Sequence, residues 1–406
     1  MKKAFLTFML LIFVVNSVFA QKGSEPKPIP GQFIVVLKED VAKPVINQKR
    51  AATTDRESKE LQSKTARTAN LTKVREVASK SNLKQGVIVF EYADILSGFT
   101  AKLNDNEVKS LRANPNVEGV YQDYEVQIVS NYTSYDECEE EASFYAQTTT
   151  CAVTKAGGPV DGSSKATWIW ILDTGIDLDH PDLNVQTSAT YAKSFIAGQT
   201  VEDGHGHGTH VAGIAAAKNN SIGVVGVSSG ARVVPVKVLS NSGSGSFSGI
   251  ISGLNHVAMY DIPGDVVNMS IEAYGYANCQ NSNPALRDAI FNLGNAGTYV
   301  VMAAGNESAN ANLNLPGCIN GNRVYTVGSI TCANACSGFS NWGNSVDWVA
   351  VGSSVYSTHK NGGYTTMNGT SMASPVVAGV IHARNAPPIS AGNVNCGGAN
   401  YPIARR

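Results

Sequence analysis

At 406 residues, 43% of them hydrophobic and 16% charged, the chain is long enough for two or three domains around at least one large core. A formal net charge of −1 supplies no excess of cations for nucleic acid or an anionic membrane, so neither is expected as a partner. The charge is unevenly spread: residues 1–145 hold 19 Lys/Arg and 19 Asp/Glu, and residues 146–406 hold only 12 and 13, which separates two parts of different character.

Lys2 and Lys3 precede an apolar run at 4–15 and the small residues of Val18-Phe19-Ala20. That is the pattern of a secretory signal peptide, residues 1–20, cut after Ala20. A membrane anchor needs about 20 apolar residues and fits less well, so the mature chain is expected to be secreted and extracellular. Seven cysteines in an exported chain point to disulfides rather than a metal cluster. Cys138–Cys151, Cys279–Cys318 and Cys332–Cys336 are candidate pairs, with Cys396 left over; the spacing does not fix the connectivity.

Residues 21–30 read as a Pro-rich linker. A strand at 33–37, a helical stretch at 53–81 and strands at 87–92 and 96–103 follow. A helix capped by Asn104 then runs to Arg112, and a last strand covers 117–126. The order is that of a ferredoxin-like βαββαβ unit with its core at about 32–126, inside a segment 21–130. This superfold alone says little about function. An extension at 131–165 holds the acidic patch 136–141 and a Gly/Ser-rich stretch. Beyond it, continuous apolar runs at 167–172, 232–239, 266–271 and 299–304 alternate with helix candidates at 207–217, 247–260, 283–292 and 371–383. Such alternation argues for an α/β domain, residues 166–385, with a parallel sheet covered on both faces and its working residues at the carboxyl ends of strands. A Gly/Asn-rich tail, 386–406, follows.

Four segments carry chemistry. In Asn368-Gly369-Thr370-Ser371-Met372-Ala373-Ser374-Pro375 a flexible turn delivers a hydroxyl to the start of an apolar helix, whose backbone N–H groups and dipole suit an oxyanion. Pro375 is compatible with a first helical turn, and an ordinary Ser N-cap is the bland alternative. Asp173 ends an apolar strand, where a carboxylate needs a partner. His207 opens a helix in Asp203-Gly204-His205-Gly206-His207-Gly208-Thr209-His210, and Asn306 follows a strand in Ala303-Ala304-Gly305-Asn306-Glu307. Each segment alone is weak, but the order Asp, His, Asn, Ser is specific.

On these segments the chain resembles a subtilisin-like serine protease (subtilase, peptidase S8) over about residues 146–383, and the upstream unit resembles that family's inhibitor I9-type prodomain. The resemblance implies an endopeptidase, made as a zymogen and matured by prodomain cleavage, that cuts peptide bonds through a Ser371 acyl-enzyme. His207 would be base and then acid, and Asp173 would fix its tautomer. The Asn306 amide and the Ser371 N–H would hold the oxyanion, without a catalytic cofactor. Substrate would run along Gly243, Ser244, Gly245 and Phe247, along Ser270, Ile271, Glu272 and Ala273, and past Ala303 and Gly305. Partners are then polypeptide substrates and the chain's own prodomain, acting as chaperone and inhibitor of a monomer. An inhibitory tail needs only a few extended residues to reach the site, which favours cleavage between about 128 and 131 over cleavage after Tyr145. Glu272 and Ala273 replace two glycines usual in the family, which implies negative charge at the rim and a preference for basic residues on the unprimed side. Val376 replaces a common histidine, with little effect expected.

The resemblance also implies a structural calcium site. It would use the side chains of Gln147, Asp182 and Asn220 and the carbonyls of Lys218, Ile222 and Val224; a polar turn capping the His207 helix is the alternative. Two competing readings remain. One is a zinc-dependent hydrolase using His205, His207 and His210, which leaves Ser371, Asn306 and Asp173 idle. The other is an inactive scaffold acting as a binding protein, although all four catalytic positions are intact. Outside the zinc reading, His210 reads as structural and His205 as exposed.

Overall fold

The computed structural model describes residues 25–47, 55–81, 83, 87–128, 146–277 and 279–406. The signal segment, the acidic patch and Cys138 lie outside the described residues, as does most of the expected cleavage window.

The first unit runs β1 (Pro28–Leu37), α1 (Arg56–Lys80), β2 (Ile88–Tyr92), β3 (Gly98–Lys102), α2 (Asp105–Ala113), β4 (Val117–Gln127). Its antiparallel sheet has the order β4-β1-β3-β2. Asn104 starts α2 as expected, accepting from the Asn106 and Glu107 N–H groups, while Glu107 closes the capping box. The sheet is apolar on both faces. Val35, Leu37, Phe99 and Ala101 pack with Val74, Val77, Val108 and Leu111 of the two helices. Ile34, Val36 and Tyr92 point the other way, into the core of the second unit.

The second unit is built on a mostly parallel sheet. Its central strands are β5 (Ile169–Asp173), β6 (Arg232–Lys237), β8 (Val266–Met269), β9 (Tyr299–Ala303), β10 (Val324–Ile330) and β11 (Trp348–Val351), in the order β11-β10-β9-β8-β5-β6. A short strand between them, β7 (Ser244–Ser246), instead joins the first sheet beside β4. The continuous apolar runs have the cause inferred from them. Ile169 and Ile171 pack with α3 (His207–Ala216) and α6 (Thr370–Arg384). Trp170 and Leu172 pack with α4 (Phe247–Tyr260) and α5 (Pro284–Ala296) on the opposite face. Each such burial is worth about 1.5–3 kcal/mol.

The two units share more than apolar surface. The Arg56 guanidinium donates to both Asp265 oxygens, at 2.6 and 2.8 Å, and lies 3.7 Å over the Trp168 ring. The Asn255 carboxamide oxygen accepts from the backbone N–H groups of Asp94 and Ile95 at 2.9 and 3.1 Å.

Three expectations need correction. Pro375 lies in the second turn of α6, not the first. It has no N–H for the Ser371 carbonyl, and the Ser270 hydroxyl donates to that carbonyl instead, at 2.9 Å. The stretch 386–406 is not a loose tail: Ile389–Cys396 and Ala399–Arg405 form a hairpin whose second strand pairs parallel to β11. Of the disulfides, Cys279–Cys318 is present, but Cys151 bonds Cys332 and Cys336 bonds Cys396. Cys332–Cys336 and Cys138–Cys151 are therefore wrong. The fold brings together cysteines 181 and 60 residues apart, which spacing could not reveal.

A loop of that second length is worth about 4 kcal/mol in the chain-entropy account. Replacing both Cys336 and Cys396 with Ala should cost about 2–4 kcal/mol, read as a lower midpoint in urea.

Candidate active site

The carboxyl end of β5 and the start of α3 meet at one contact. Asp173, fully buried, accepts from His207 Nδ1 at 2.8 Å and from the Thr174 N–H at 2.7 Å. A Cβ added at Gly208 would lie 3.2 Å from the Asp173 Cβ and collide with the Gly175 carbonyl, so only glycine lets the helix approach this closely. His207 Nε2 is buried and has no hydrogen-bond partner among the described residues. Helices α3 and α6 pack together, and Ser371 is the second residue of α6. Its hydroxyl sits 3.5 Å from the Ser270 carbonyl, at the limit of a hydrogen bond.

Asn306 is set by Thr370. Its carboxamide oxygen accepts from the Thr370 N–H at 2.8 Å and from the Thr370 hydroxyl at 3.1 Å, while that hydroxyl accepts from the Gly305 N–H. A Cβ at Gly369 would lie 3.5 Å from the Ser371 nitrogen and 3.6 Å from Asn306 Nδ2, so both donors border one small space. Asn268 supports the same region, accepting from the Ser374 hydroxyl at 2.7 Å and donating to Ser270 Oγ at 3.0 Å.

The expected substrate loops hold the end of β4. Val126 pairs with Gly245 and Gln127 with Ser244 on one side. On the other, Gln127 and Glu272 exchange backbone hydrogen bonds at 3.1 and 3.2 Å, and the Ile128 N–H donates to the Gly243 carbonyl at 2.9 Å. Gly243, Ser244, Gly245 and Glu272 thus form the two edges of a channel filled by the chain's own segment. Ser270 and Ile271 lead into that edge, and Ala273 pairs with Leu315 behind it. Ala303 closes β9 ahead of Gly305. Phe247 is wholly buried against Tyr124 and Tyr276. Glu272 departs from expectation. It is 3% exposed and its carboxyl turns inward to Asn314 and Glu307, so it puts no negative charge on the rim. Burial, and then Glu307, push its carboxyl well above the ordinary range.

The histidine cluster does not converge. His210 Nε2 faces the Val355 and Thr365 carbonyls, and burial holds its pKa down to about 3, so it is neutral and structural. His205 is half-buried rather than exposed, edge-on to His207 at 6.3 Å. No group of three or more His, Cys, Asp or Glu able to hold a metal occurs among the described residues.

The expected calcium residues do gather. Gln147 Nε2 donates to the Lys218 carbonyl at 2.8 Å and to Asn220 Oδ1 and the Val224 carbonyl at 3.2 Å each. Asp182 accepts from Asn220 Nδ2 at 2.8 Å, and burial raises its pKa. Ile222 donates its N–H to Asn220 Oδ1 at 2.8 Å and bridges to Ala146, the residue before Gln147.

Sequence reasoning gave no role to Asp203, Thr174 or Thr370. Asp203 accepts from the Thr174 hydroxyl, the His205 and Gly206 N–H groups, and both the N–H and hydroxyl of Thr209. Burial pushes its carboxyl up, but these donors outweigh it and the pKa is lowered. Its position four residues before a catalytic-type histidine was the available signal.

Two family models match the chain: the subtilase family, peptidase S8, over residues 164–384, and peptidase inhibitor I9 over residues 32–129. A cuticle-degrading protease of Metarhizium anisopliae is 36% identical over 296 residues, 72% of this chain and 71% of that protein. Subtilisin amylosacchariticus of Bacillus subtilis subsp. amylosacchariticus is 35% identical over 286 residues, 69% of this chain and 68% of its own. A crystal structure of a cold adapted subtilisin-like serine proteinase aligns at 35% identity with a TM-score of 0.48, covering 55% of this chain and 76% of that one.

Asp203→Ala would strand buried donors at about 1–3 kcal/mol each. We expect a loss of at least about 3 kcal/mol in urea unfolding. Because the pKa is lowered, the stability Asp203 contributes is present above the ordinary Asp range and is lost as pH falls through the folded value. The difference between wild type and variant should therefore shrink in acid.

Proposed function

The chain belongs to the subtilase family of serine peptidases and carries an inhibitor I9 propeptide, and from that we propose an exported endopeptidase, made as a zymogen and cut by its own Ser371. One observation carries the reading: the buried contact between Asp173 and His207 Nδ1, with Nε2 left as a base that has no partner among the described residues. The imidazole takes the Ser371 proton as Oγ bonds to the substrate carbonyl carbon. The oxyanion is held by the Ser371 N–H and Asn306 Nδ2. The imidazolium returns its proton to the leaving amine as the C–N bond breaks, and a water, activated the same way, releases the acyl group. The established cost in this family of losing one oxyanion donor is about 10²–10³ in turnover. Export is supported by Lys2, Lys3, the apolar run at 4–15 and the small residues Val18 and Ala20 before the expected cut.

The ladder formed by Gln127 and Ile128 supports cleavage shortly after it rather than after Tyr145. Successive N–H groups of an extended strand alternate between its edges. Gln127 bonds Glu272 and Ile128 bonds Gly243, so the described end of the strand lies between the two edges of the channel, one of which leads back to the Ser270 carbonyl, 3.5 Å from Ser371 Oγ. The reading therefore cuts between about residues 128 and 131. Ser371→Ala should leave a folded chain with neither peptidase activity nor propeptide removal, and N-terminal sequencing of mature wild type should show a start within about residues 129–131. A start at Ala146, or normal maturation of the variant, would overturn this.

Calcium is the second part of the proposal. The residues fit it: the Gln147 amide NH2, whose hydrogens carry partial positive charge, sits among oxygens of Lys218, Asn220 and Val224, with Asp182 adjacent. Which end of an amide points inward is an assignment from hydrogen bonding, and a turn of Gln147 presents its oxygen to a cation. Those residues and Asp182 would hold the ion, which supplies stability and no step of the reaction. At 100 times its Kd, a ligand bound only by the folded state stabilises by about 2.7 kcal/mol. A chelator should lower the Tm of calcium-loaded enzyme and speed autolysis; an unchanged Tm would remove the site.

A further inference from the structure

Glu272 does two things at once. Its backbone N–H and carbonyl form one edge of the channel, exchanging hydrogen bonds with Gln127. Its side chain runs the other way, under the oxyanion turn, where its carboxyl accepts from the Asn306 backbone N–H and from Asn314 Nδ2 and is hydrogen bonded to the Glu307 carboxyl. Two carboxyl groups can share a hydrogen bond only if a proton lies between them. Glu272 Oε1 is buried with no hydrogen-bond partner among the described residues, so nothing there stabilises a negative charge. Around the pair, Asn341 donates to Glu307 Oε2 at 2.6 Å and to the Ala304 carbonyl at 3.0 Å. A Cβ at Gly305 would come within 2.8 Å of Glu272 Oε2, so the turn lies directly on the carboxyl.

We propose that Glu272, protonated and sharing its proton with Glu307, is a positioning residue that ties the Asn306 oxyanion turn to the substrate-binding edge. The inference rests on the reading of Asn306 as an oxyanion donor. The titratable group facing Glu272 is Glu307, from the turn itself. The segments packed on the pair contribute Gln127, Asn314 and Asn341, all neutral. No cation among these would favour a second negative charge, and burial opposes it. As pH rises through the Glu272 pKa the shared proton leaves, the buried Glu272 carboxylate and the half-buried Glu307 carboxylate repel, and the Asn306 N–H loses its fixed anchor. The site would then hold the oxyanion less well while still binding substrate through the same backbone edge.

The test measures kcat and KM against pH for mature wild type, Glu272→Gln, Glu272→Ala, Glu307→Gln and Asn306→Ala, on one peptide substrate. Wild-type kcat should fall on the alkaline side, and that fall should be absent in Glu272→Gln and Glu307→Gln, whose amides hydrogen bond without titrating. Glu272→Ala should lose on the order of tenfold in kcat at every pH, with KM changed far less, and Glu272→Gln should recover part of that loss. An alkaline limb that survives unchanged in both Gln variants, or a wild-type kcat that stays level throughout, would overturn the inference. Asn306→Ala separates the two readings. If it loses kcat while the Glu272 and Glu307 variants behave as wild type, the oxyanion assignment stands and this inference fails. If it loses nothing, both fail. Should Glu272→Gln fail to mature, Glu307→Gln removes the same shared proton from the other side.

Discussion

Ser371 stands at the start of a helix that is buried along nearly its whole length, and that burial obliges every polar group near the helix start to find a partner. Pro375 denies the Ser371 carbonyl its intrahelical hydrogen bond, and Ser270 restores it from the neighbouring strand end. Thr370 uses its N–H and hydroxyl on Asn306 and thereby aims the amide's nitrogen. Ser374 is held by Asn268, which also holds Ser270. Ser371, the Asn306 amide and the segment that starts at Ser270 are consequently parts of one hydrogen-bonded unit. A shift in any of them strands a buried polar group, at about 1–3 kcal/mol.

The same accounting explains why the Asp173–His207 pair can be buried. Asp173 lies at a strand end with no exposure, and His207 lies at a helix start with none. Asp203 fixes the loop between them by accepting five hydrogen bonds, so the approach of strand and helix is held by several contacts rather than by the Asp–His contact alone. Lys237, paired in register with Asp173, brings its ammonium to the Thr174 carbonyl and to Asn241 Oδ1 at 2.9 Å, adding a cation close to both carboxylates. Burial lowers its pKa, and the charges of Asp203 and Asp173 pull the other way.

The propeptide satisfies an edge that would otherwise be exposed. Strand β7 presents unpaired backbone groups, and β4 covers them while its far end lies between Gly243 and Glu272. The remaining contacts are spread widely: Arg56 on Asp265 and Trp168 at one end, Asn255 under three successive N–H groups of residues 93–95 at the other. An interface of this breadth can place an extended tail accurately, because the tail inherits the register of the strand it continues.

Local information carried much of this. The period of apolar residues separated helices from strands, and continuous runs such as 168–172 required a sheet covered on both faces, because a strand with one wet face alternates. The segments around Asp173, His207, Asn306 and Ser371 were legible because each pairs a reactive side chain with the glycines and small residues its close packing needs. What the sequence could not determine depends on which distant groups meet. Cys151 and Cys332 are joined across 181 residues, and spacing along a chain holds no record of that meeting. The hairpin at 389–405 has little apolar periodicity, and its place is set by Cys336 and by the edge of β11. Glu272 is the sharpest case. A glutamate in this segment reads as exposed charge, yet this one lies between buried Ile271 and Ala273 and turns inward, against Glu307 and beneath Asn306. Charge is a property of the residue only in water; in a packed interior it is decided by the neighbours, and only the tertiary structure supplies them.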